Sequence, residues 1–203
     1  MTNNIRKKPP IRRLSRVLII CEGYEEYDYL SALIRENVWS DKLVVSIKNA
    51  KSLDNVAGQY QYEYANGNYE YIFVFCDTEV SPYRQFRLLT RKINSTRGKN
   101  AAPDVICFSN PCTMLIVLSH FAKVLLETNR KDGNAPLIRQ LTGVSGYRAS
   151  RLQREKIASL ITAENYRTMK KNISYLETDY TKIPSTNAFK IFSSLESGVI
   201  KRN

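Results

Sequence analysis

Histidine is almost missing from this chain: one residue in 203, His120. That argues against histidine-rich metal sites and against triads that need an imidazole base. His120 itself falls inside an apolar helical pattern, where packing or hydrogen bonding is the expected role. Long apolar runs are missing too. The longest, near Met114 to Leu118, is far short of the roughly 20 residues that cross a bilayer. No secretory hydrophobic segment follows Arg6, Lys7, Lys8, Arg12 and Arg13, so a soluble cytoplasmic protein without a membrane partner is expected. Glycine and proline number only 8 and 7, which excludes collagen-like and low-complexity chains, and no internal repeat is visible. The four cysteines, Cys21, Cys76, Cys107 and Cys112, have no zinc-ligand spacing, and three stand at or near strand ends as small buried hydrophobes do. A reducing cytosol is the simplest setting for them. No Gly-x-x-x-x-Gly-Lys-[Ser/Thr] loop is present, which excludes P-loop ATP hydrolysis, and neither Gly-x-Gly-x-x-Gly nor Gly-x-Ser-x-Gly occurs.

What is present is positive charge. The formal net charge is +12, a balance that favours nucleic acid or another anionic partner without specifying a fold. Hydrophobic residues make up 43%, enough for one well-buried core with a small added lobe. Residues 1–15 read as a basic arm with five cations and no acid, kept extended by Pro9-Pro10. The segment 16–129 then alternates. Strands are expected over 17–21, 42–48, 69–76 and 104–109. Helices are expected over 25–37, from Ser52 or Asp54 to about Ala65, over 82–94 behind Ser81-Pro82, and over the apolar stretch 112–127. Four βα units in a row predict an α/β fold with a four-stranded, mostly parallel sheet flanked by helices. After a polar loop at 130–136, the stretches 136–142, 148–178 and 186–198 predict a helical extension, 130–203, packed on that core.

Two strands end in acids. Val17-Leu18-Ile19-Ile20-Cys21 runs into Glu22-Gly23, and Tyr71-Ile72-Phe73-Val74-Phe75-Cys76 runs into Asp77-Thr78-Glu79. Ligands of open α/β sheets bind beyond the carboxyl ends of the strands. Asp77 and Glu79, two apart, point the same way if the strand continues through them. Glu22 on a neighbouring strand then completes a hard-oxygen set suited to a divalent metal, with Gly23 allowing close approach to the backbone. The competing reading is that these acids are solvated strand ends or helix caps; Glu25, Glu26 and Asp28 read as favourable charges in a first helical turn.

The same residues carry a family resemblance. Leu18-Ile19-Ile20-Cys21-Glu22-Gly23 followed by a helix resembles the first motif of Toprim-like domains, and Phe73-Val74-Phe75-Cys76-Asp77-Thr78-Glu79 resembles their second, Asp-x-Asp, motif. With Ser109-Asn110-Pro111-Cys112 before an apolar helix closing at His120-Phe121, and with Ile183-Pro184-Ser185-Thr186-Asn187-Ala188-Phe189 near the end, the chain resembles the RloB-like (AbiL-associated) family from residue 17 to about 198. The resemblance implies a Toprim-like sheet, with Glu22 as general acid or base and Asp77 and Glu79 as ligands of Mg²⁺ (or Mn²⁺). It also implies a nuclease effector of prokaryotic anti-phage defence that works with an AAA/ABC-type ATPase of the RloA kind. Two positions depart from the family pattern. Glu79 stands for the usual second aspartate, and Thr113-Met114 stands where a Phe-Glu pair is typical.

The stretch from Val80 to Pro103 holds six cations and no acid, and Arg84, Arg87 and Arg91 share one helix face. Arg148 and Arg151, with Arg154 and Lys156, form a second run. Both runs are candidate phosphate contacts. The tyrosines at 60, 62, 64, 69 and 71 offer packing or base stacking. Gly143-Val144-Ser145-Gly146 reads as a turn. The function expected is therefore a Mg²⁺-dependent nuclease on RNA or DNA, with homo-oligomers open. The alternatives are a catalytically degenerate subunit that binds nucleic acid or a phage protein, and a nucleotide-binding regulator.

Overall fold

The first strand is apolar at every position from Val17 to Cys21 because both of its faces are covered. In the computed structural model, which describes residues 14–78, 83–98 and 105–200, those five side chains are all buried. The elements follow as β1 (Ser15–Cys21), α1 (Tyr24–Arg35), β2 (Leu43–Asn49), α2 (Leu53–Asn66), β3 (Tyr71–Asp77), α3 (Arg84–Arg97), β4 (Ile106–Asn110) and α4 (Met114–Leu118). Then come α5 (Lys131–Thr142), α6 (Arg151–Ser159), α7 (Ala163–Ile173), β5 (Ser185–Thr186) and α8 (Ala188–Ser197). The sheet order is β2-β1-β3-β4-β5, parallel throughout except for β5, which pairs antiparallel with β4.

The fold is thus α/β with a mostly parallel sheet and helices on both faces. Alternation along the strands divides the core in two. Val17, Ile19, Cys21, Phe73 and Phe75 face α1 and the helices after β4. Leu18, Ile20, Ile72, Val74 and Cys76 face α2 and α3, against Val56, Tyr60, Phe86, Leu89 and Ile93. Ile138, Ile157, Tyr166, Met169, Ile191 and Phe192 of the C-terminal helices join the first of these layers, so that part of the chain builds the same core as the strands.

Four details differ from the sequence expectation. A fifth strand, only two residues long, extends the sheet beyond β4. The helix expected over 112–127 is only α4, Met114–Leu118. Its final carbonyl region is held from outside, Asn172 Nδ2 donating to the Ser119 carbonyl at 2.8 Å. The polar stretch at 130–136 is helical from Lys131. Asn134 turns inward to donate to the Thr128 carbonyl at 2.8 Å, and Asp132 lies in the first turn where an acid is favoured. The stretch 148–178 is broken between α6 and α7, because Thr162 caps α7 with its hydroxyl, which accepts from Asn165 N at 3.2 Å. Residues 1–13, which hold most of the basic arm, and the Ser81-Pro82 cap lie outside the described residues.

Candidate functional site

The chain runs from β1 out to β2 on one side and then crosses back to β3 on the other, so the direction of winding reverses between β1 and β3. That is the place where open α/β sheets form a ligand crevice. Glu22 follows β1 there, and Asp77 ends β3 there. Their strands are in register at Cys21 and Phe75, and Glu22 N continues the ladder by donating to the Phe75 carbonyl at 3.1 Å. The Glu22 carboxylate spans the gap: its Oε2 accepts from the Asp77 backbone N–H at 3.0 Å. Two of the acids predicted from sequence are therefore brought together. The third, Glu79, lies outside the described residues.

Asp77 shares the parity of Phe73 and Phe75, which turns it to the α1 face. There its Oδ1 accepts from Ser109 Oγ at 2.8 Å and lies 2.8 Å from Thr113 Oγ1. Thr113 Oγ1 is also 2.6 Å from Glu26 Oε1, and Glu26 Oε2 accepts from Gly23 N, at the start of α1, at 2.9 Å. One hydroxyl has one proton to donate and accepts on its lone pairs. With both carboxyls against Thr113 Oγ1, a second proton is needed on one of them for both contacts to be hydrogen bonds. The electrostatics agree. Burial raises the Asp77 pKa well above the ordinary carboxylate range, aided by the charges of Glu26 and Glu22, against the lowering effect of Ser109 and Thr113. Burial also raises Glu26, with a smaller contribution from Glu25, while Thr113 pulls the other way.

Glu26 is the residue that sequence reading placed elsewhere. Its first-turn position gave it the role of a helix-dipole partner, and one oxygen does serve α1. Its other oxygen belongs to the Asp77 cluster, reached through a threonine 87 residues away that no spacing rule connects to it. Thr113 supplies the linking hydroxyl.

A pocket of about 180 Å³ opens over these acids, lined among others by Glu22, Asp77, Cys112, Met114, Lys131 and Tyr147. Tyr147 donates to Glu25 Oε1 at 2.5 Å, and Lys131 Nζ stands 3.8 Å from Glu25 Oε2, so acids and a cation share the rim. Burial raises the Cys112 thiol, which keeps it protonated and unreactive. Among the described residues no group of three acidic, histidine or cysteine side chains is arranged to hold a metal ion. The acids there, Glu22 and Asp77, offer hard carboxylate oxygens. Two such carboxylates plus water satisfy Mg²⁺, so the chemistry of the set fits that ion.

The arginines fall into two groups on opposite faces. Arg84, Arg87 and Arg91 are exposed on α3, on the α2 face, and no ion pair involves them among the described residues. Arg148 and Arg151 stand beside α6, on the α1 face. Arg148 donates to its neighbour's carbonyl at 3.1 Å, and Arg151 pairs with Glu155 at 2.7 Å. Arg154 of the same run is structural: it pairs with Asp28 at 2.7 Å and covers the Tyr24 ring. The structure does not join the two groups into one surface.

Comparison with protein-family models, with curated proteins and with solved structures finds no match for this chain. No helix among the described residues is long and apolar enough to cross a membrane.

Proposed function

We propose that this chain is a Toprim-like, metal-dependent nuclease that hydrolyses RNA or DNA phosphodiesters. The observation that carries the reading is the meeting of Glu22, Glu26 and Asp77 at the switch point between β1 and β3, with hydroxyls positioned on Asp77 and three exposed arginines on the helix that follows it. A bound Mg²⁺ or Mn²⁺ would supply Lewis-acid charge for the phosphoryl oxygens and acidify a water. Asp77 and Glu79 are the residues proposed to hold it. Ser109 and Thr113 fix Asp77 so that its reach does not depend on rotamer freedom. Glu22, tied to the Asp77 backbone, is the group proposed to take the proton of the attacking water. Arg84, Arg87 and Arg91, with Arg148 and Arg151, are proposed to hold backbone phosphates. The place in anti-phage defence and the ATPase partner are proposed from the family resemblance alone.

The test is cleavage of end-labelled single- and double-stranded RNA and DNA by the purified chain. Products that form with Mg²⁺ or Mn²⁺ and stop with EDTA support the nuclease. Thr113-Met114, where the family has Phe-Glu, favours one other reading, a binding subunit without turnover. Salt-sensitive binding with intact substrate in either metal supports that reading and removes the first.

A further inference from the structure

The tyrosines at the end of α2 have no part in the site described above. We propose that α3 and the C-terminal end of α2 form a track for unpaired nucleic acid, with Tyr64 as the platform on which a base stacks. This rests on the nuclease reading for the chemistry of its occupant and goes beyond it by selecting single strands over duplex.

α2 and α3 each follow a parallel strand and lie side by side on one face of the sheet, so they run in the same direction. Their N-terminal ends are at the edge that carries Glu22 and Asp77, and their C-terminal ends are at the opposite edge. Phe86, Leu89 and Ile93 bury one side of α3, which turns Arg84, Arg87 and Arg91 to the other. The helix contains no acid, and from Arg84 to Arg97 it is about 20 Å long. The cations thus begin next to the acidic crevice and lead away from it.

At the far end stands an aromatic pair. Tyr60 is buried under α2, and the Tyr64 ring stacks on it, centroids 6.0 Å apart and planes 16° apart. The two rings are nearly parallel and offset, so Tyr60 steadies Tyr64 at its edge, while the residue remains 46% exposed. Arg97 lies close enough to Tyr60 for its charge to act on the phenol, which places the end of α3 beside the stack. Tyr62, on the far side of α2, lies toward Lys48 and is outside the track. An exposed ring steadied at its edge by a buried neighbour offers a face on which an unpaired base stacks. The bases of a duplex are already stacked on each other and present only phosphates to such a surface.

The experiment is fluorescence anisotropy with the full chain in EDTA, using one mixed-sequence labelled oligonucleotide as a single strand and as a blunt duplex. The wild-type protein is expected to prefer the single strand. Tyr64→Ala is expected to weaken that binding by about 5- to 100-fold with the salt slope unchanged, whereas Tyr64→Phe, which keeps the ring, binds as wild type. Arg87→Ala and Arg91→Ala are each expected to lower the single-strand salt slope by about 0.7. Equal affinity for duplex and single strand, or a Tyr64→Ala variant that binds as tightly as wild type, overturns the track. The nuclease reading fails separately: if this binding pattern holds while the metal-loaded chain cleaves nothing, the track stands and the nuclease does not.

Discussion

Thr113 shows how much one hydroxyl decides in this protein. Its single proton lies between Asp77 and Glu26, two buried acids that repel each other. Replacing it by Val removes the link while keeping the shape. Thr113→Val is expected to cost about 1–3 kcal/mol in denaturant unfolding, since buried acceptors lose their donor. Glu26→Gln tests the charge instead. Burial holds the Glu26 pKa above its ordinary value, so its contribution to stability is complete at low pH and falls as pH rises through the folded-state value. The amide has no charge to bury, so the variant is expected to be more stable than wild type at pH 8. The difference closes toward pH 4. A melting temperature unchanged at pH 8 would remove the cost of burying this charge from the account.

His120 makes a second prediction at this scale. Asn165 Oδ1 already accepts from Thr162 N at 2.9 Å, so it accepts from His120 Nδ1 at 2.8 Å as well, and Nε2 is left to accept from Tyr29 OH at 3.1 Å. The ring is therefore a neutral Nδ1–H tautomer, and burial pushes its pKa from 6.5 down to about 4. A histidine with a depressed folded-state pKa gives stability that is present above about pH 6.5 and lost as pH falls toward about 4. The loss is about 3 kcal/mol over that window, and His120→Gln is expected to flatten it in acid unfolding curves. The packed role of His120 was legible in the sequence from its apolar neighbours. Its partners were not, because they lie on α1 and α7, far away in the chain.

Among the elements, the strands were the most legible. Apolar runs bounded by Gly, Asn and acids located β1 to β4, and Asn66-Gly67 ended α2, with Gly67 left-handed at φ 62° as the cap. β5 was invisible because two residues carry no period and its hold is made by side chains. Asn187 imitates the next strand: Oδ1 accepts from Phe108 N at 2.8 Å, and Nδ2 donates to the Ile106 carbonyl at 2.7 Å. Thr186 Oγ1 donates to the Phe108 carbonyl at 2.6 Å. Asn187→Ala leaves two buried backbone groups of β4 unpaired and is expected to destabilise by about 2 kcal/mol or more in chemical denaturation. A change within ~0.5 kcal/mol would show that this edge finds other partners. The breaks after α4 and between α6 and α7 were missed for the same reason. Asn172 and Thr162 set them through hydrogen bonds, and the hydrophobic pattern runs straight across both.

Over the whole molecule, winding order explains why acids from β1 and β3 meet. Strands apart in sequence become neighbours where the chain reverses direction, and their carboxyl ends share one crevice. Glu22 and Asp77 could be picked from the sequence because each closes an apolar run. Glu26 could not, since its role depends on which face of the sheet Asp77 takes. Among the described residues the arginines lie on both faces, with those of α3 leading away from the crevice and α6 partly neutralised by Glu155 and Asp28. The central claim is that this crevice hydrolyses phosphodiesters with a metal. It is tested most directly by single-turnover cleavage of a labelled strand in Mg²⁺ or Mn²⁺, comparing wild type with Glu22→Gln and Asp77→Asn variants checked for folding by circular dichroism. The prediction is cleavage by the wild-type chain and a loss of at least about 100-fold in each folded variant. Cleavage by either variant at the wild-type rate would contradict it.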